Sequence, residues 1–217
     1  YFSGLIDADS EDTIAYYNRG LANLSLGNYQ DASSDFETAW ALGMHANEAR
    51  AKRGYARFKV GDLAGSHGEL ATIVAIAPRN ALFNAYLGEY LAEVGSLAEA
   101  SKFIENAITI DGDLGIGYLA RSQLFLSQGL TSSAESVIEP SVGLPLPSLG
   151  NYVGRSEILA FLGKYDLALS DIDQALRINP NSALTFNSRA GTYAMMGQFE
   201  LAISDLTKAI RNEQEDP

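Results

Sequence analysis

The sequence predicts an all-α solenoid built from six consecutive two-helix repeats of 34 residues. Three observations carry this reading: a glycine returns every 34 residues, the positions around it repeat in size, and apolar residues between the glycines recur at helical spacing. The glycines are Gly27, Gly61, Gly95, Gly129, Gly163 and Gly197. Glycine makes up 20 of 217 residues, so five further hits by chance have odds of roughly one in a hundred thousand, and the period belongs to the fold. The phrases LGNYQDA, LGKYDLA and MGQFELA, starting at Leu26, Leu162 and Met196, show it most plainly.

The repeats begin at Thr13, Asn47, Ala81, Gly115, Leu149 and Ala183, giving boundaries of 13–46, 47–80, 81–114, 115–148, 149–182 and 183–216. Residues 1–12 are too short for a repeat and are expected to be an N-terminal remnant or the end of an upstream helix. Seven residues before each glycine stand Gly20, Gly54, Gly88, Ser122, Ser156 and Ala190, and five after it Ala32, Ser66, Ala100, Ala134, Ala168 and Ala202. All are small, as two helices joined by a tight turn require where they cross. Nine residues after the glycine come Phe36, Leu70, Ile104, Ile138, Ile172 and Leu206, which fill the space beside that crossing.

Apolar spacing such as Phe199, Ile203, Leu206 and Ile210 reads as helix, so each repeat is a helical hairpin with the glycine ending its first helix in the left-handed conformation. Helix starts are expected at Asp12, Asn47, Asn80, Asp113, Ser148 and Ser182, whose side chains can accept a backbone N–H. Pro78 and Pro180 stop the helices before two of these junctions. One hairpin cannot bury its own apolar face, which is why repeats of this kind stack.

Comparing the copies exposes a pairing. Eight residues before the glycine stand Arg19, Arg53, Leu87, Arg121, Arg155 and Arg189; eight after it stand Asp35, Glu69, Phe103, Val137, Asp171 and Asp205. Arginine faces an acid in four repeats, and both positions are apolar in the third. The pattern predicts an ion pair across the two helices of one repeat, a structural clip rather than acid/base or metal chemistry.

Composition narrows the function. The chain has no cysteine, a net charge of −12 and 15 basic residues. Thiolate chemistry and thiolate metal sites are excluded, and the acidic field repels phosphate backbones and anionic lipid heads, so nucleic acid is not expected as a partner. No stretch is long and apolar enough to span a membrane. His45 and His67, 22 residues apart, lack a carboxylate set at ligand spacing, so no metal, cofactor or catalytic site is expected. GDLGIG at 112–117 falls at a helix junction and not after a strand, which removes a dinucleotide reading.

The period, these columns and endings such as ALRINPNS at 175–182 resemble tetratricopeptide repeats, over residues 13–216. The resemblance implies a right-handed superhelix whose first helices line a concave groove for a peptide or partner segment, and no enzymatic activity. On that register the expected partner-binding residues are Tyr17, Leu21, Leu24, Tyr55, Phe58, Glu89, Glu93, Leu119, Gln123, Glu157 and Asn187, with Ile14, Glu48, Lys52, Lys59, Leu126, Phe161 and Met195 on the same face. The clamp that some relatives use for acidic C-termini is incomplete: Tyr17, Leu21, Leu82 and Tyr86 occupy its places in one register, and in the other Glu48 stands where a cation is needed beside Asn18 and Lys52. The expected partner is a protein or peptide that is apolar with neutral or basic character. The alternatives are a self-associating module forming a homo-oligomer and the substrate-recruiting part of a longer enzyme.

Irregularities complete the reading. Pro140, Pro145 and Pro147 with Gly143 force the fourth repeat's second helix to end near Glu139, leaving a loop of about eight residues that keeps the 34-residue count. Gly65 and Gly68 thin the second helix of the second repeat. The chain begins without Met and stops at RNEQEDP directly after the last repeat, so it reads as a processed product or a piece of something longer; Leu201 and Leu206 then stay partly exposed unless the natural chain continues.

Overall fold

Helix-forming spacing and caps place the elements where the period predicts. The structure, a computed structural model, describes residues 2–215. Tyr1, in the expected remnant, and Asp216, the expected last residue of the sixth repeat, lie outside the described residues, as does Pro217. Among the described residues there are thirteen α-helices, one 3-10 turn and no strand: α1 (Phe2–Ala8), α2 (Thr13–Leu26), α3 (Tyr29–Ala41), α4 (Asn47–Lys59), α5 (Leu63–Ile76), α6 (Ala81–Glu93), α7 (Leu97–Ile110), α8 (Gly115–Ser127), α9 (Thr131–Ile138), the 3-10 turn Glu139–Ser141, α10 (Leu149–Phe161), α11 (Tyr165–Ile178), α12 (Ala183–Met195) and α13 (Phe199–Glu215).

Each periodic glycine sits between two helices and has a positive φ, from 74° at Gly129 to 87° at Gly61. Only glycine takes that region without a Cβ clash. The residue after it then donates its N–H to the carbonyl five residues back, as Asn28 does to Asn23 at 2.9 Å, Lys164 to Leu159 at 2.8 Å and Gln198 to Tyr193 at 2.8 Å. These bonds satisfy carbonyls that the helix end leaves free. The tight crossing is visible at Gly88, where an added Cβ would stand 2.6 Å from Ile104 Cγ1.

Four of the six expected caps form: Asp12 accepts from Ala15 at 2.8 Å, Asn80 from Phe83 at 3.0 Å, Ser148 from Asn151 at 3.2 Å and Ser182 from Thr185 at 3.1 Å. Asn47 is a correction. It is the first residue inside α4, and the entry position is Ala46, in extended conformation, with no side-chain cap. Asp113 stands two residues ahead of α8, and its own N–H donates to Asp111 at 3.0 Å. A cap unmarked by the period appears at Asp62, which accepts from Gly65 at 2.9 Å and starts α5; that helix runs unbroken through Gly65 and Gly68.

The clips form as the copies predict. Arg19 grips Asp35 with three hydrogen bonds of 2.7–3.1 Å, Arg53 meets Glu69, Arg155 grips Asp171 at 2.6 and 2.7 Å, and Arg189 grips Asp205 at 2.5 and 2.9 Å. In the third repeat Leu87 is buried instead. Arg121 lies with its guanidinium 5.6 Å from the Phe125 ring centre. Planar two-point pairing suits arginine and carboxylate geometry.

The chain divides into two lobes, one up to Gly117 and one from Tyr118. In the first lobe, α1 packs on α2, each hairpin closes on itself, and α3 meets α4 as α5 meets α6. Its core is built from Phe36, Tyr55, Leu70, Ile73, Tyr86 and Ile104. In the second lobe, Leu119, Ile138, Ile158 and Leu159 close around Ala160 and Ala168, and a smaller cluster joins Leu149 and Val153 to Ala175. The proline-rich segment leaves α9 at Ile138, as the prolines require, and is then held from α10. Arg155 donates to the carbonyls of Ser141 at 2.7 Å and Leu144 at 3.3 Å, while the Tyr152 hydroxyl accepts from the Leu146 N–H at 3.2 Å.

Candidate partner-binding site

The expected residues all lie on the first helices of the repeats, and burial sorts them. In the first lobe Tyr17 and Leu21 on α2 are half-buried, while Leu24 is buried. The Tyr17 ring lies 5.8 Å from that of Phe36, and burial, helped by the Glu48 charge, raises its phenol above the ordinary value. On α4, Tyr55 is only 1% exposed and Phe58 8%; both are enclosed rather than presented. Tyr55 stacks on Tyr86 with centroids 3.9 Å apart, and Phe58 meets Tyr90 edge-on at 5.8 Å.

A buried carboxylate organises this region. Glu89 on α6 accepts from the Tyr55 hydroxyl at 3.2 Å and from Lys59 Nζ at 3.0 Å. The Lys59 ammonium stands 5.5 to 5.8 Å from the ring centres of Tyr29, Tyr55 and Phe58, inside an aromatic surround. Burial alone would lower its pKa, but Glu89 and Tyr29 outweigh it and the value is raised. Glu89 therefore spends its charge inside the lobe. Lys52, by contrast, is lowered by burial, with Glu48 opposing. Glu93 is exposed and borders an open hollow of about 390 Å³ with Phe58, Lys59 and Leu63.

In the second lobe Leu119 is buried in the core cluster and Gln123 is half-buried. Glu157 on α10 and Asn187 on α12 are exposed and share a hollow of about 290 Å³ whose walls include Leu184, Gly191 and Met195. Leu184 is 47% and Met195 57% exposed, and Phe161, 65% exposed, lies one helical turn beyond Glu157. Desolvation in these surroundings raises the Glu157 carboxyl above its ordinary value. Met195 was on the expected face; Leu184 and Gly191 were not, although their α12 positions flank Asn187 at helical spacing. The small Gly191 leaves the depression open. No helix of the described residues is long and apolar enough to cross a membrane.

Paired helices with glycine corners at a fixed period, free of strand among the described residues, define a helical-repeat solenoid protein. Tetratricopeptide repeat profiles match residues 1–47 and 149–182, so the chain carries tetratricopeptide repeats over those residues. A thermophilic tetratricopeptide-repeat protein of Thermus thermophilus superposes with a TM-score of 0.66 at 19% identity, over 85% of this chain and 98% of that one. The Cut9–Hcn1 hetero-tetramer of APC/C gives 0.65 at 14% identity, over 99% of this chain and 43% of that one. YrrB, described as a tetratricopeptide-repeat protein with an unusual peptide-binding site, gives 0.50 at 19% identity, over 99% and 93%. At these identities the likeness concerns the fold. No curated protein matches the sequence.

Proposed function

We propose that the chain is a protein-interaction scaffold that holds an extended partner segment on the first-helix faces of its repeats, by equilibrium binding and without bond chemistry. The tetratricopeptide fold supports an interaction role. The observation that carries the finer reading is the 290 Å³ hollow between α10 and α12, where Leu184 and Met195 offer apolar walls beside the Glu157 carboxylate and the Asn187 amide. Apolar walls with a few convergent polar groups are the usual makeup of a site that anchors one side chain and orients the rest. In this reading a leucine-like side chain fills the hollow, and a neighbouring lysine or arginine of the partner meets Glu157.

The remaining expected residues contribute unequally. Tyr17, Leu21, Glu93 and Gln123 are open enough to touch a partner, whereas Leu24, Tyr55, Phe58, Glu89 and Leu119 shape the faces from beneath. Treating residues 13–216 as one interaction domain of six repeats belongs to the same proposal.

The test is fluorescence anisotropy with two peptide sets of equal apolar content, one basic and one acidic. The basic set should bind tighter, and Glu157→Gln together with Met195→Ala should weaken it about tenfold or more. Preference for acidic C-termini, or indifference to both substitutions, would overturn the reading.

A further inference from the structure

Glu89 and Glu157 hold the same place in the third and fifth repeats, the ninth residue of the first helix, and differ in what meets them. Around Glu89 the preceding first helix, α4, supplies the Tyr55 hydroxyl at 3.2 Å and the Lys59 ammonium at 3.0 Å. Tyr86, three residues before Glu89 on α6, stacks its ring on Tyr55. Two repeats later each of these supports is exchanged: Gln123 stands for Tyr55, Ser127 for Lys59 and Gly154 for Tyr86. The mutual placement is kept, since a Cβ on Gly154 would find Gln123 Nε2 at 4.0 Å and nothing nearer. Ser127 is exposed and turns its hydroxyl back to the Leu124 carbonyl at 2.8 Å. Among the described residues Glu157 has neither a hydrogen bond nor an ion pair, and desolvation raises its carboxyl with no cation opposing. The cations Arg155, Lys164 and Arg189 of this lobe are committed to Asp171, Glu135 and Asp205.

We propose that a lysine of the bound segment fills this place: its ammonium settles on Glu157 from the α8 side, as Lys59 settles on Glu89, and its stem lies in the room left by Gly154. Charge complementarity selects this occupant. An apolar side chain would desolvate the carboxylate without pairing it, and an acidic one would repel it. Gly154 lies on the same face of α10 as Glu157, and Gln123 adds a carbonyl oxygen able to accept from the ammonium. The proposal rests on the reading that Glu157 meets a basic residue of the partner, and adds a direction to it. The leucine-like side chain sits on the α12 side of Glu157 and the lysine on the α8 side, which orients the segment across α10. In the first lobe the chain neutralises its own carboxylate; in the second it leaves that to the guest.

Fluorescence anisotropy on the full chain tests this, with the tightest basic peptide of the set above and copies in which norleucine replaces each lysine in turn. One such exchange should weaken binding about tenfold. Ser127→Lys, which rebuilds the Lys59–Glu89 arrangement within the chain, should weaken the lysine peptide about tenfold and change that norleucine copy by less than about twofold. Ser127→Met, equally long and uncharged, should leave both peptides close to the parent. Circular dichroism should be unchanged because residue 127 is exposed; Gln123→Lys, one turn earlier, replaces the variant should helix content fall. A peptide that Glu157→Gln weakens but Ser127→Lys does not would overturn this inference and leave the hollow's reading standing, as would equal affinity for every norleucine copy. Failure of all basic peptides to bind removes both. Binding of n-pentylammonium as tight as that of the peptide would assign the place to a free amine and overturn the inference as well.

Discussion

The α10–α11 and α12–α13 hairpins share one template and differ in what covers them. YDLALSDIDQALRI and FELAISDLTKAIRN agree in residue type at eleven of fourteen positions, with Arg155 and Asp171 in one hairpin and Arg189 and Asp205 in the other. Ile172 is fully buried, while Leu206 at the matching position is 44% exposed. The Arg155–Asp171 pair is closed to solvent, with side chains 1% and 2% exposed, whereas Arg189 is 18% exposed beside an Asp205 that also receives Lys208 at 3.1 Å. The local phrase decides the hairpin; the neighbour decides the environment.

That contrast can be broken at its strongest point first. Arg155→Ala removes both hydrogen bonds to a buried carboxylate and two more to loop carbonyls, so it should cost about 3–5 kcal/mol. Arg189→Ala, at the partly open copy, should cost on the order of 2 kcal/mol. Chemical denaturation of the two variants checks the order, and equal losses would show that burial of the clip is immaterial. Next, Ile172→Ala should cost about 3 kcal/mol by leaving a cavity, against less than about 1 kcal/mol for Leu206→Ala. Gly163→Ala, which places a Cβ at φ 76°, should cost roughly 1 kcal/mol at a corner both hairpins share in kind.

The smallest effect is a matter of sign. At Asp205 desolvation works upward, but hydrogen bonds from Arg189 and Lys208 outweigh it and hold the carboxyl below 3.8; its contribution is present above that ordinary value and is lost as the pH falls through the lower, folded one. At Asp171 desolvation prevails over Arg155 and the carboxyl is raised, so its contribution is full below 3.8 and declines as the pH climbs through the folded value. Thermal melts of Asp205→Asn and Asp171→Asn through the acid range should therefore deviate from the parent in opposite directions. A common direction would contradict the assignment.

The glycine corners and the four clips were legible because copies within one chain act as their own comparison: a column that repeats in size or charge marks a constraint. Helix entries were less so. Asn47 misled by one residue because a capping side chain and a good first helical residue look alike until the backbone of Ala46 is seen in extended form. The candidate site divided for a related reason. Tyr17 and Tyr55 occupy successive first helices, yet Tyr55 is stacked on Tyr86 and hydrogen-bonded to Glu89, contacts made 31 and 34 residues away in sequence, which helical spacing cannot distinguish from an open face. Glu89 likewise reads as groove charge in sequence and is in fact consumed by Lys59. Leu201 and Leu206, expected to stay partly exposed unless the natural chain continues, are 48% and 44% exposed.

The proline-rich segment after α9 borrows its fastening from residues that leave the ribosome after it. Its carbonyls at Ser141 and Leu144 wait for the guanidinium of Arg155, and its Leu146 amide waits for the Tyr152 phenol. A nascent chain ending before residue 155 thus carries this stretch unset, and the fourth hairpin reaches its final form only once the fifth has emerged. Assembly of this lobe is consequently ordered in time by two side chains of α10.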